Sequence, residues 1–209
     1  MIEAQKRGTV VAVVLAGGLA RRMGGGDKCL LPLAGRPLLA HILERLKPQV
    51  SALALNANGA VERFAGFGLP VLPDIVAGFP GPLAGVLTGL TWARKAHPQA
   101  HWLVSVPGDG PLLPHDLVVR FVEASEAGAE LVCAASGGRN HPVIGFWPLS
   151  LTEALRQAVV EEEIRKVDRW TARYRLSAVT WPTTPHDPFF NVNSPEDLHT
   201  AEGLLKISR

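Results

Sequence analysis

Val13-Val14-Leu15-Ala16-Gly17-Gly18-Leu19-Ala20-Arg21-Arg22-Met23-Gly24-Gly25-Gly26-Asp27-Lys28 is the stretch from which the rest of the chain is read. It ends an apolar run, Thr9–Ala16, and passes directly into a loop carrying five glycines and three cations, Arg21, Arg22 and Lys28. A strand feeding such a loop at the carboxyl edge of a parallel sheet presents backbone N–H groups where missing Cβ atoms let phosphate oxygens approach. The cations then neutralise a polyphosphate. A lone glycine pair would read as an ordinary surface loop, but cations interleaved with glycine straight after the strongest strand do not. A Walker A loop needs Gly-Lys-Ser/Thr at its end, whereas Lys28 lies between Asp27 and Cys29. A dinucleotide fingerprint needs a further glycine at position 29, which is Cys29.

Outward from this loop, short continuous apolar segments alternate with amphipathic ones. That is the pattern of a mostly parallel, mixed sheet covered by helices on both faces, an α/β fold. Strands are expected at Thr9–Ala16, Ala52–Asn56, Pro70–Leu72, Trp102–Val106, Glu130–Ala135, Val143–Trp147 and Leu176–Trp181. Leu38, Leu39, Ile42, Leu43 and Leu46 form one helical stripe after Pro37; Leu83, Val86, Leu87, Leu90 and Ala93 form another after Pro82. Pro114 and Pro195 mark two more helix starts, and Ser194-x-x-Asp197 reads as a capping-box variant opening the last helix. Its buried face would be Leu198, Ala201, Leu204 and Leu205. Segment 151–173 reads as a helix with a solvated face, with a lid or insertion as the alternative. Residues 9–207 form one domain, and residues 1–8 are expected to be a disordered lead.

Composition narrows the function classes. With 209 residues, 47% hydrophobic and 19% charged, the chain can bury a large core and is not of the disordered type. A formal net charge of +2 argues against nucleic acid as a partner, so any anion site is local. Two cysteines, Cys29 and Cys133, are too few for a disulfide scaffold and read as reduced thiols of a cytoplasmic protein. Lys6, Arg7 and the run Val10–Ala16 imitate a secretory signal, but the run is short and meets Arg21-Arg22. No stretch has the ~20 apolar residues of a membrane span, so no membrane partner is expected. The histidines show no zinc-ligand spacing, and no convincing Ser/His/Asp set stands out along the chain.

Leu15-Ala16-Gly17-Gly18, Arg22-Met23-Gly24 and Asp27-Lys28 resemble the nucleotidyltransferases that join an NTP to a phosphorylated small molecule with release of pyrophosphate. The Gly-Gly-x-Asp-Lys ending resembles the molybdenum cofactor guanylyltransferase family; sugar-phosphate enzymes more often carry Pro-Lys there. Asn56-Ala57-Asn58, Gly81-Pro82-Leu83-Ala84-Gly85, Pro107-Gly108-Asp109, His141-Pro142-Val143 and Asn191-Val192-Asn193-Ser194-Pro195-Glu196-Asp197-Leu198 follow in the family order, so the resemblance spans roughly residues 9–205.

The resemblance implies a Rossmann-like nucleotidyltransferase fold and GTP and molybdopterin as substrates. It places Leu15, Ala16, Gly17, Lys28, Asn56, Asp74 and Asp109 at nucleotide-contacting positions, with Gly18 among the loop amides. From the residues alone, Asp109 is either a metal ligand or an Asx-turn residue. The resemblance favours the ligand, for Mg²⁺ or alternatively Mn²⁺. Lys28, Arg22 and Asp109 are then the catalytic set. Attack by an already anionic phosphate on the α-phosphorus needs alignment and cations, not a general base. Asn191 and Asn193, and more weakly Arg165 and Lys166, are candidates for the molybdopterin. Gly110 departs from the family form, which carries a side chain there, and is expected to loosen the turn that aims Asp109. Guanine over cytosine follows from the resemblance, not from charge or spacing. The alternatives are a molybdopterin cytidylyltransferase, a sugar- or polyol-phosphate enzyme, and a catalytically silent nucleotide-binding or carrier protein. Transient contact with cofactor-biosynthesis proteins or acceptor molybdoenzymes would accompany the leading reading.

Overall fold

A computed structural model describes residues 10–17, 25–76, 78 and 81–207. The expected lead, residues 1–8, lies outside them. The nine strands among the described residues are β1 (Val10–Leu15), β2 (Pro32–Leu33), β3 (Arg36–Pro37), β4 (Ala52–Asn56), β5 (Val71–Leu72), β6 (Trp102–Pro107), β7 (Leu131–Ser136), β8 (Arg139–Pro148) and β9 (Leu176–Trp181). The helices are α1 (Leu38–Leu46), α2 (Pro82–Ala96), α3 (Leu117–Glu126), α4 (Thr152–Val160), α5 (Val167–Thr171) and α6 (Pro195–Ile207). All seven expected strands join one sheet in the order β5-β4-β1-β6-β8-β7-β9, and only β8 runs against its neighbours.

The central position of β1 explains its unbroken apolar sequence. Val10, Ala12 and Val14 face one core cluster while Val11 and Val13 face the other, and all five are fully buried. A strand covered on both faces has no polar side to alternate. The first cluster is filled from α1 and α3 by Leu39, Ile42, Leu43, Leu117 and Phe121; the second receives Leu83, Val86, Leu87 and Leu90 from α2. Leu155, Ala158, Val159, Val167 and Trp170 bury the inner faces of α4 and α5 in that second core, while Glu161–Glu163 stay exposed. Segment 151–173 is therefore a packed layer with a solvated outer face.

Strand order reverses at β1, because the chain goes to β4 and β5 on one side and to β6 on the other. Ligands of open α/β sheets bind in the crevice at such a point, outside the carboxyl ends of the strands. The loops after β1, β4 and β6 meet there. The hairpin β2–β3, not expected from the sequence, follows the loop after β1, and Leu33 and Leu38 bury a third small core with Leu112, Val192, Ala201 and Leu205. Leu198 and Leu204 pack partly buried against it, which gives α6 its expected inner face. The capping box also forms: Ser194 N–H donates to Asp197 Oδ2 at 2.9 Å and Asp197 N–H donates to Ser194 Oγ at 3.2 Å. No helix among the described residues is long and apolar enough to cross a membrane.

Candidate active site

At the carboxyl end of β6, Gly108 N–H donates to the carbonyl of Leu15 at 3.0 Å, which draws the end of β6 onto the end of β1. A Cβ at position 108 would stand 3.0 Å from that carbonyl and 3.2 Å from Ala16 Cα, so any larger residue would push the two strand ends apart by a few tenths of an ångström. The next residue, Asp109, is thereby turned toward Lys28. Lys28 Nζ donates to Asp109 Oδ2 at 2.9 Å and to Asn193 Oδ1 at 2.8 Å. Both ionic side chains are mostly covered, 17% and 20% exposed. Asp109 Oδ1 is buried and has no hydrogen-bond partner among the described residues. A buried carboxylate oxygen without a donor is costly unless something else supplies positive charge. This corner encloses a cavity of about 60 Å³ with Leu15, Ala16, Lys28, Cys29 and Pro107 to Asp109 in its wall.

The loop carrying Asn191 and Asn193 is fastened to the same turn, since Val192 N–H donates to the carbonyl of Asp109 at 2.9 Å. Gly110 is buried, and a Cβ there would approach Asn191 Oδ1 to 3.4 Å. That is ordinary contact, and the turn is held by the bond from Val192 N–H to the Asp109 carbonyl.

Next to this corner, sharing Leu15 with it, lies a pocket of about 400 Å³ lined by Gly17, Asn56, Ala57, Asn58, Asp74, Gly81, Pro82 and Val143. Its size and mixed lining suit a small organic ligand. Asn56 Nδ2 donates to Asp74 Oδ1 at 2.9 Å and to the carbonyl of Leu72; Asn58 Nδ2 donates to Asp74 Oδ2 at 2.8 Å. Asn58 Oδ1 in turn accepts Asp74 N–H at 2.8 Å. Helix α2 comes close to this group through Gly85, where a Cβ would lie only 2.3 Å from Asn56 Oδ1.

Of the residues expected from sequence, Leu15, Ala16, Gly17, Lys28, Asn56, Asp74 and Asp109 all line this double pocket. Asn193 joins the charged corner, whereas the exposed Arg165 borders the larger pocket through its carbonyl, 3.5 Å from where a Cβ of Gly81 would be. Lys166 is exposed just ahead of α5. Gly18 and Arg22 lie outside the described residues. Sequence reasoning gave no role to Arg63, which pairs with Asp27 through Nε at 2.5 Å. Nor did it give a role to Asn58 beside Asn56, although two residues spaced by two at a strand end point to one side.

Among the described residues, thiol and serine nucleophiles are disfavoured by their surroundings. Burial, followed by the negative charge of Asp27, pushes the Cys29 thiol up to about 12, and burial pushes Cys133 up to about 11, so neither is a nucleophile near neutral pH. Ser136, His141 and Asp187 do come together, but with the serine in the middle. Ser136 Oγ donates to Asp187 Oδ1 at 2.8 Å and lies 2.8 Å from His141 Nε2. Its single proton already goes to the carboxylate, so the imidazole meets the oxygen as donor and is not its base. Burial further lowers the His141 pKa. Among the described residues no cluster of three His, Cys, Asp or Glu side chains forms a metal site.

Comparison with known proteins agrees with this geometry. The family model described as the MobA-like NTP transferase domain matches residues 12–177. A Rhodopseudomonas palustris protein named molybdenum cofactor guanylyltransferase is 59% identical over 200 residues, 95% of each chain. Among solved structures, a molybdopterin-guanine dinucleotide biosynthesis protein A from Archaeoglobus fulgidus superposes with a TM-score of 0.72 at 22% identity, covering 95% of this chain and 99% of that one. A manganese complex from Mycobacterium tuberculosis gives a TM-score of 0.67 at 17% identity, covering 93% and 98%. These two share the fold.

Proposed function

The chain belongs to the MobA-like NTP transferase family, and from that premise we propose that it transfers GMP from GTP to the phosphate of molybdopterin, releasing pyrophosphate and leaving the guanine dinucleotide form of the molybdenum cofactor. One observation carries this reading: a cation and a carboxylate, one oxygen of which is buried and unpartnered among the described residues, adjoin an amide-lined pocket at the strand-order reversal. Those are the two halves a nucleoside triphosphate needs.

The base end is the larger pocket. Each oxygen of Asp74 already accepts one asparagine amide and keeps a second lone pair. Guanine offers adjacent N1–H and N2–H₂ donors to such a carboxylate, whereas cytosine presents an acceptor beside its amino group. The asparagines hold the carboxylate in one orientation before the base arrives.

The phosphate end is the charged corner. The unpartnered Oδ1 fits Asp109 as a ligand for a hard divalent ion, since such ions take oxygen ligands and usually one or two carboxylates. Asp109 would hold Mg²⁺ or Mn²⁺ there, and the ion would supply positive charge against the phosphates. Lys28, with Arg22 and the amides of Gly17 and Gly18, takes the charge that builds on the departing pyrophosphate. Asn193 also accepts a hydrogen bond from Lys28, and with Asn191 it would meet the molybdopterin phosphate; Arg165 and Lys166 are further cations offered to that ligand. That phosphate is anionic at neutral pH, so no side chain has to take a proton from it. The chain's task is alignment.

A nucleotide panel tests the assignment. With molybdopterin and Mg²⁺, pyrophosphate is expected from GTP in preference to CTP, ATP and UTP. Turnover with CTP and none with GTP would defeat it, as would GTP turnover that requires a sugar phosphate in place of molybdopterin.

A further inference from the structure

The geometry points to Arg63 as a positioning residue that fixes the base-binding loop against the phosphate-binding turn. Its guanidinium reaches four acceptors on two separate segments. On one side Nε and Nη2 donate to Asp27 Oδ2 and Oδ1 at 2.5 and 3.3 Å. On the other, Nη2 donates to the carbonyl of Asn58 at 2.6 Å and Nη1 donates to the carbonyl of Ala60. The fork also lies 4.6 Å from the ring centroid of the fully buried Phe64, which gives it a fixed floor.

Both ends of this tie lead into the site. Asp27 precedes Lys28, and its carbonyl accepts Leu30 N–H, closing the short turn 28–30 from which the lysine projects. Asn58 grips Asp74 through its amide oxygen and its amide N–H₂. Asp74, Asn58, Arg63 and Asp27 thus form a continuous polar chain from the base pocket to the residue before Lys28. Arginine suits the task because its planar fork bonds a carboxylate and carbonyls at once, which a lysine ammonium cannot do in that geometry. The spacing between the nucleobase and the triphosphate cations is set by this contact. The inference rests on reading Lys28 as the phosphate end and Asp74 as the base end of one nucleotide site.

Arg63→Ala, Arg63→Lys, Asp27→Asn and the double variant Arg63→Ala/Asp27→Asn test it in the full chain, with GTP, molybdopterin and Mg²⁺. Arg63→Ala is expected to lose about 10²-fold in kcat/KM for GTP, shared between kcat and KM, because sub-ångström alignment at both ends is lost. Its melting temperature should stay within about 5 °C of the unaltered chain. Arg63→Lys should keep that melting temperature and recover less than half of the activity on a logarithmic scale. The double variant should be no better than Arg63→Ala. Near-complete recovery in the double variant would mean that Arg63 only neutralises Asp27, and full activity in Arg63→Lys would mean that charge alone suffices; either result overturns the proposal. Mg²⁺–GTP affinity is read in parallel by titration calorimetry, with a loss of about tenfold expected in Arg63→Ala. If the unaltered chain binds GTP but releases no pyrophosphate, the transfer reading falls and the tie is judged on affinity, where no loss in Arg63→Ala overturns it. If the unaltered chain binds no GTP, both fall.

Discussion

At the charged corner Asp109 keeps one buried oxygen without a partner among the described residues, whereas at the larger pocket both oxygens of Asp74 and its own N–H are held by asparagine side chains. One carboxylate is left for something to complete; the other is finished before any ligand arrives. On the proposed reading the difference follows from what each has to meet. A base is neutral and directional, so its receptor gains from fixed donors and acceptors. A triphosphate brings several negative charges and its own metal ion, so its receptor must leave an anionic ligand open and keep a cation close by. On the proposed reading Lys28 is that cation; it bridges Asp109 and Asn193.

The sharpest way to break this contrast is at Asp109. Changing it to Ala should lower pyrophosphate release from GTP by about 10³-fold, with the far-ultraviolet circular dichroism of the sheet unchanged. Activity within tenfold of the unaltered chain would show that the corner does not depend on its open carboxylate. A smaller effect is expected at the other end. Asp74→Asn keeps the shape but turns an acceptor into a donor facing the amides of Asn56 and Asn58, which should cost about 10- to 10²-fold in the GTP-to-CTP ratio of kcat/KM. An unchanged ratio would mean that base choice is made elsewhere. The mildest change is Gly85→Ala, whose new methyl would stand 2.3 Å from Asn56 Oδ1 and 2.7 Å from Leu15 Cδ2. Relieving that overlap should cost about 1–3 kcal/mol and raise KM for GTP more than it lowers kcat, as read from thermal melts and initial rates. A melting temperature and KM equal to those of the unaltered chain would show that Asn56 yields freely and that its orientation does not matter.

How far each half was legible in advance depends on the reach of its contacts. Val10 to Leu15 could be read because burial on both faces leaves a plain apolar run, and the helix after Pro82 because its stripe recurs at a local period. The bonds between Ser194 and Asp197 were legible for the same reason, being three residues apart. Lys28 and Asp109 were recognisable as strand-end and loop chemistry, yet their contact, spanning 81 positions, leaves no periodic trace. Arg63 is harder still: its partner Asp27 is 36 residues earlier, and its own segment is a short 3₁₀ stretch with no motif. The hairpin at Pro32–Leu33 and Arg36–Pro37 escaped notice because proline usually argues against a strand; the pair stands alone, outside the large sheet.

Asp197 Oδ2 also accepts the N–H of Asn193 at 2.8 Å, so the carboxylate that caps α6 fastens the backbone that delivers Asn193 to Lys28. Glu202, farther along the same helix, accepts the N–H of Ala34 in the β2–β3 turn. Proteolytic trimming ahead of residue 195 would therefore read in an assay as a defect of chemistry, although no group that touches substrate had been cut away. Affinity handles and fusion partners are for the same reason better spaced well clear of that helix.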